Sequence, residues 1–183
     1  MSKPRIVVVG GGAGGLPLVT KLGAKLGKYG NADITLVDSS NIHVWKPRFH
    51  EVATGAIDAD LDAVDYRAHA QLNHYRFEPG TLTQVDTAGQ TLTLAPLHDA
   101  HGSEVLPERK LSYDYLVLAT GSQSNDFGTP GVRDNCLFMD SRAQAERFRE
   151  RFLNACLHAH HESKPVSVAI VGGGAPGVEL AAE

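Results

Sequence analysis

Several protein classes are excluded by what this sequence lacks. Its 2 cysteines, Cys136 and Cys156, form no C-x-x-C pair and no zinc-type spacing. That argues against a disulfide framework and fits a reducing compartment. No apolar run approaches the roughly 20 residues needed to span a bilayer. The run after the N-terminal MSKPR is too short for a signal peptide. Positive charge is not in excess either. The formal net charge of −4 leaves no electrostatic footprint for nucleic acid, so no such partner is expected. His158, His160 and His161 read as a solvated helix end, and no metal site is expected there or elsewhere.

What is present describes an ordinary globular chain, 42% hydrophobic and 21% charged. Its 183 residues suffice for one domain, or for one and part of another. The most informative stretch is IVVVGGGAGGL, Ile6 to Leu16. A β-branched strand runs into glycines, and Gly10, Gly12 and Gly15 keep the G-x-G-x-x-G spacing where a strand should turn into a helix. The first glycine permits the tight turn, the second the approach of a pyrophosphate, the third close helix–strand packing. The following helix offers free N–H groups and its positive dipole end. Leu18, Leu22 and Leu26 predict that helix over residues 16–29. Residues 33–37 predict a second parallel strand ending at Asp38, about 20 residues on, where a carboxylate bonds adenosine ribose hydroxyls.

Residues 41–55, NIHVWKPRFHEVATG, lack clean periodicity and hold the only tryptophan, Trp45, with Lys46 and Glu51. This is either a cofactor-facing loop or short helix, or an irregular surface segment, and Pro47 breaks any helix running through it. Residues 60–72 carry a weak helical pattern, and 76–80 a short strand. Residues 81–85 and 91–95 alternate about a turn and predict a hairpin. Residues 98–108 read as a polar loop, 110–112 as a third meander strand, and 113–119 as a buried strand. A helix is predicted over 140–161, opened by a Ser141/Gln144 capping box, with Phe148, Phe152 and Cys156 on a core-facing stripe. A second strand-plus-glycine unit follows: residues 166–171, then Gly172, Gly174 and Gly177 in the same spacing and the start of a helix.

Two such turns in one chain imply two dinucleotides brought face to face, and the economical chemistry is hydride passing from a nicotinamide to a flavin. The predicted fold class is α/β, a two-dinucleotide-domain flavoprotein with a Rossmann-like first domain, a β-meander and the start of a second such domain.

Together, VVVGGGAGGL, HVWKPRFHEVATG, YDYLVLATGSQSNDFGTPGV and VAIVGGGAPGVELAAE resemble the type II NADH:quinone oxidoreductases, single-subunit respiratory NADH dehydrogenases that do not pump protons. The resemblance implies FAD and NADH as cofactors and a quinone as electron acceptor. It implies that Gly10, Gly12, Ala13, Gly14 and Gly15 cradle the FAD pyrophosphate and that Asp38 binds its ribose. Val85 would meet the adenine through its backbone, Ala119, Thr120 and Gly121 would line FAD, and Lys46 would lie against the flavin. Gly172, Gly174 and Gly177 would hold the NADH pyrophosphate, with Glu179 near the nicotinamide–flavin stack, serving proton delivery to the quinone. From spacing alone Glu179 reads as a surface acid in the first turn, favoured by the helix dipole, and only the resemblance gives it the functional role.

The implied domains are an FAD-binding domain over 1–139, a linking helix over 140–164, and the start of an NADH-binding domain over 165–183. The family's later flavin segment, quinone pocket and membrane-binding helices lie outside these residues. The chain alone is therefore expected neither to oxidise NADH nor to bind a membrane. The family implies a peripheral location on the cytoplasmic face of the bacterial inner membrane, and a homodimer is left open. Pro176 stands where the family usually has Thr, which predicts weaker NADH binding; Pro17 also departs from common members. Other readings are a ferredoxin- or rubredoxin-reductase relative and a non-catalytic redox sensor. The HVWKPRFHEVATG segment speaks against the first of these.

Overall fold

The computed structural model describes residues 2–61 and 63–183. The early elements are β1 (Arg5–Val9), α1 (Gly15–Leu22), β2 (Asp33–Asp38), β3 (Ile42–His43), α2 (Phe49–Thr54), β4 (Val64–Asp65) and α3 (Tyr66–Leu72). There follow β5 (Arg76–Pro79), β6 (Leu82–Asp86), β7 (Thr91–Leu94), β8 (Leu97–His98), β9 (Glu104–Leu106), β10 (Arg109–Ser112) and β11 (Tyr115–Leu118). The helices α4 (Val132–Asn135), α5 (Arg142–Glu162) and α6 (Ala175–Ala182) come last. The chain packs as two compact units. One holds the residues through His43 together with Val64–Gly121, the other Val44–Ala63 with Ser122–Glu183.

In the first unit a parallel sheet runs in the order β11-β1-β2-β5. Alternation along its strands sends side chains to opposite faces. Val8, Ile34 and Leu36 meet Val19 of α1 and Tyr66 and Ala70 of α3. Val7, Val9 and Val37 meet Leu92 and Leu94 of the meander β6-β7-β10, and Tyr113 just after it. Both faces are covered, which is why β1 reads as an unbroken apolar run. The α/β class, the hairpin, the third meander strand and the strand at 76–80 are all found as the sequence predicts.

Four expectations for this unit are corrected. The helix predicted over 16–29 is α-helical only to Leu22 and continues as a wider π turn over Gly23–Gly27. A Cβ at Gly23 would lie 1.8 Å from the Asn73 carbonyl oxygen, and one at Gly27 2.0 Å from that of His74. The glycines thus let the helix touch the backbone that follows α3, and the ladder widens there. The pattern at 60–72 yields helix only from Tyr66, because residues 64–65 pair with β3; Asp62 lies outside the described residues. The polar stretch 98–108 is not all loop, since β8 and β9 pair in it. The strand predicted as buried over 113–119 is β11, at the sheet edge, where Tyr115 is 64% exposed.

The second unit gathers α2, α5 and α6. Phe49, Val52, Ala53 and Ala59 bury against Ala145, with Met139, Phe148 and Leu180 packed around them. The capping box predicted for α5 is present. The Ser141 hydroxyl accepts from the Gln144 N–H at 3.3 Å, and the Gln144 side chain accepts from the Ser141 N–H at 3.2 Å. Phe148 and Phe152 stack with centroids 5.8 Å apart, while Cys156, expected in a core, is only half-buried. Pro47 sits in a single 3-10 turn, Lys46–Arg48, after which α2 begins. The strand predicted over 166–171 does not form, and Val168 there is 52% exposed. A strand needs neighbouring backbone to take up its N–H and C=O groups, and these residues pair with none of the described ones. Among the described residues no helix is long and apolar enough to cross a membrane.

Candidate functional site

The first glycine turn sits at the carboxyl ends of parallel strands. The Gly10 N–H donates to the Val37 carbonyl of β2 at 2.8 Å, and the Ala119 N–H donates to the Val9 carbonyl of β1 at 2.7 Å. The chain order reverses about β1, and that is the crevice where open α/β sheets take ligands. Gly10 has φ 100°, and a Cβ there would lie 2.3 Å from the Ala119 oxygen. At Gly15 a Cβ would meet the Gly10 oxygen at 1.7 Å, so the turn closes on itself. Gly12 and Gly14, by contrast, face open space. No side chain caps the start of α1. The exposed glycine backbone and the uncapped first-turn N–H groups together fit a pyrophosphate cradle. Ala13 lies between them, and Thr120 and Gly121 continue from Ala119 against Gly10.

Asp38 is drawn into the same turn. Its Oδ2 accepts from the Gly11 N–H at 2.6 Å and its Oδ1 from the Ser40 N–H at 2.8 Å. Val85 lies in the meander opposite Leu92, and among the described residues no hydrogen bond joins it to the turn.

Sequence reasoning missed Tyr66. Its hydroxyl donates to the Gly11 carbonyl at 2.8 Å, and its ring stacks on Phe77 at 5.2 Å with 2% of the residue exposed. Burial, helped by the Asp38 charge, pushes the Tyr66 hydroxyl up, so it stays a donor. His43 leans on the same carbonyl. Burial pushes its imidazole down, against the opposing pull of Asp38 and of the Gly11 hydrogen bond. Fifty-five positions separate Tyr66 from Gly11, and no local pattern could have linked them.

In the second unit the later glycine turn has the same local form. Gly172 has φ 103°, and a Cβ at Gly177 would lie 2.4 Å from the Gly172 oxygen. Gly174 precedes α6, accepting from the Gly177 N–H at 3.0 Å, and Pro176 stands in the first turn, where proline is tolerated.

Lys46 is held by a polar knot in this unit. Its Nζ donates to the Ser122 carbonyl at 2.7 Å and to Asp140 Oδ1 at 3.0 Å. Asp140 also accepts from the Ser124 N–H at 2.9 Å and from its hydroxyl at 3.0 Å. Burial works to raise the Asp140 carboxyl and is outweighed by Ser124 and Lys46, which hold it below the usual carboxylate range. Glu179 on α6 faces His50 of α2, with Oε2 3.4 Å from Nδ1. In the sequence His50 is only one of two histidines in the aperiodic stretch 41–55, with nothing to single it out.

Comparison with known proteins follows the same lines. The chain is 43% identical to a Type II NADH:quinone oxidoreductase of Haemophilus influenzae, over 97% of this chain and 44% of that protein. It is 29% identical to the one of Mycobacterium tuberculosis, over 98% of this chain and 37% of that protein. The solved structure of NDH2 from Plasmodium falciparum in complex with NADH superposes with a TM-score of 0.70 at 21% identity, over 87% of this chain and 30% of that one. The resemblance read from the sequence is borne out, and the chain spans less than half the length of these relatives. The model of the Pyridine nucleotide-disulphide oxidoreductase family matches residues 4–183. A parallel sheet with a glycine turn at its switch point, and a second such turn in the same chain, are thus joined by matching sequence along nearly the whole length, and the chain belongs to the pyridine nucleotide-disulphide oxidoreductase family.

Proposed function

We propose that this chain serves in a type II NADH:quinone oxidoreductase, moving electrons from NADH through FAD to a quinone without pumping protons. One observation carries the reading. Two glycine turns of matching backbone form occur in one chain, with Gly10 and Gly172 at φ 100° and 103° and each last glycine packed on the first one's carbonyl. One dinucleotide needs one such turn, and two turns suit a donor and an acceptor cofactor. The relatives' names supply the donor, NADH, and the acceptor, a quinone. They leave a ferredoxin- or rubredoxin-reductase activity with less support.

Gly10, Gly12, Ala13, Gly14 and Gly15 bind the FAD pyrophosphate through backbone N–H groups, and Asp38 takes the ribose hydroxyls. Tyr66 holds the turn rigid by fixing the Gly11 carbonyl. Val85 and Ala119–Gly121 complete the adenine and crossing contacts. Lys46, steadied by Asp140, presents its ammonium to the flavin. Gly172, Gly174 and Gly177 bind the NADH pyrophosphate, and Glu179 delivers a proton towards the quinone. FAD, when bound, accepts the hydride and releases electrons. The division into 1–139, 140–164 and 165–183 belongs to this proposal. So does a peripheral seat on the cytoplasmic face of the inner membrane, held by segments outside these residues, with a homodimer as the candidate assembly.

The test is spectroscopic. A protein with the full length of the relatives should purify yellow, bleach anaerobically with NADH, and regain its colour on adding a quinone. A colourless product that takes up no added FAD ends the proposal.

A further inference from the structure

We propose that His50 is the positioning residue for Glu179, aiming its carboxyl for proton delivery; this rests on the quinone-reductase reading above. His50 lies on α2 with only 11% of its side chain exposed. Its Nδ1 is buried and has no hydrogen-bond partner among the described residues. The groups in front of it come from α6 and from the residue that caps its end. Glu179 Oε2 stands 3.4 Å from Nδ1, and Glu183 Oε1 stands 4.0 Å from Nε2.

The arrangement has a physical logic. Positions 179 and 183 are one helical turn apart, so both carboxylates lie on one face of α6 and repel each other. A ring that turns its Nδ1–H to Glu179 gives that carboxylate a donor and a fixed direction. The charged neighbour on α2, Glu51, is otherwise engaged, since it pairs with Arg48 of the preceding turn at 2.6 Å. On α5, Arg149 covers Gly55 at the helix end. A buried donor without an acceptor is costly, and a small rotation of Glu179 closes the 3.4 Å gap to a hydrogen bond. Such bonds are often long until substrate arrives.

The reaction gives this a use. NADH supplies two electrons and one proton as hydride, whereas a quinone becomes a quinol by taking two electrons and two protons. One proton therefore comes from water. Glu179 is 46% exposed and can be refilled by solvent, while His50 Nδ1–H fixes which way the carboxyl points. No bond to His50 is made or broken.

The experiment compares His50→Leu with His50→Asn, whose amide N–H stands close to the place of Nδ1–H. In the full-length holoenzyme, quinone-driven reoxidation should fall about tenfold in His50→Leu and return in His50→Asn. Bleaching by NADH, and turnover with ferricyanide, which takes electrons only, should not change. In the 183-residue chain, His50→Leu and Glu179→Gln should shift the urea midpoint non-additively. Equal slowing with quinone and ferricyanide, or an unchanged quinone rate, overturns the proposal. If the holoenzyme never bleaches with NADH, the functional reading has failed instead. The urea cycle then still judges the pair, and an additive result rejects it.

Discussion

Two glycine turns of one spacing have unequal surroundings. At Gly10 the positive φ comes with crowding, because β11 returns alongside β1 and its end presses on the turn. At Gly172 the φ is nearly the same, yet nothing lies within 4 Å of where a Cβ would go. The difference separates two meanings of a glycine motif. The backbone form follows from local sequence, but the tightness of the cradle follows from the sheet behind it. Only the first turn has that sheet among the described residues.

The largest test of this contrast pairs Gly10→Ala with Gly172→Ala. The first should destabilise the chain by about 3 kcal/mol or more, combining overpacking with left-handed strain, and the second by about 1–2 kcal/mol from strain alone. Urea unfolding measures both, and equal losses would break the contrast. Tyr66→Phe comes next. It removes one donor from the Gly11 carbonyl and leaves the ring in place, so a loss of about 1–2 kcal/mol in unfolding free energy is expected. Weaker FAD uptake by the full-length protein should accompany it.

A smaller effect sharpens the second turn. Pro176→Thr restores a hydroxyl and a backbone N–H at the start of α6, and should tighten NADH binding about fivefold in the full-length protein. Titration of NADH into both forms decides it. The smallest effect is a pH slope from His43. Its folded value is depressed below the unfolded value of about 6.5, so the unfolded chain binds more protons as pH falls beneath that point. Stability should therefore decline as pH drops through about 6.5 towards the lower folded value. His43→Gln should flatten that part of the curve.

Much of this was legible in the residues themselves. The glycine spacing located both turns, the alternation in 81–95 located a hairpin, and Ser141 with Gln144 marked the start of α5. What escaped has physical reasons. The pairs β3–β4 and β8–β9 include strands of two residues, too short for any periodicity. The π turn over Gly23–Gly27 is dictated by the backbone of Asn73 and His74, far along the chain. Residues 166–171 have the composition of a strand, but composition supplies only willingness, and pairing needs a second backbone. Tyr66 and His50 owe their candidate roles to partners 55 and 129 positions away, which no local window contains.

The carboxylate of Asp38 arrives at the turn already serving two backbone donors. About two of its four lone-pair positions remain, and each can only receive a hydrogen. A visitor with bare ribose hydroxyls satisfies that demand. One bearing a phosphate at the 2′ position brings acceptors and negative charge to an acceptor. On the proposed reading, in which Asp38 takes the ribose hydroxyls, the first turn would favour unphosphorylated adenosine over one phosphorylated at that position.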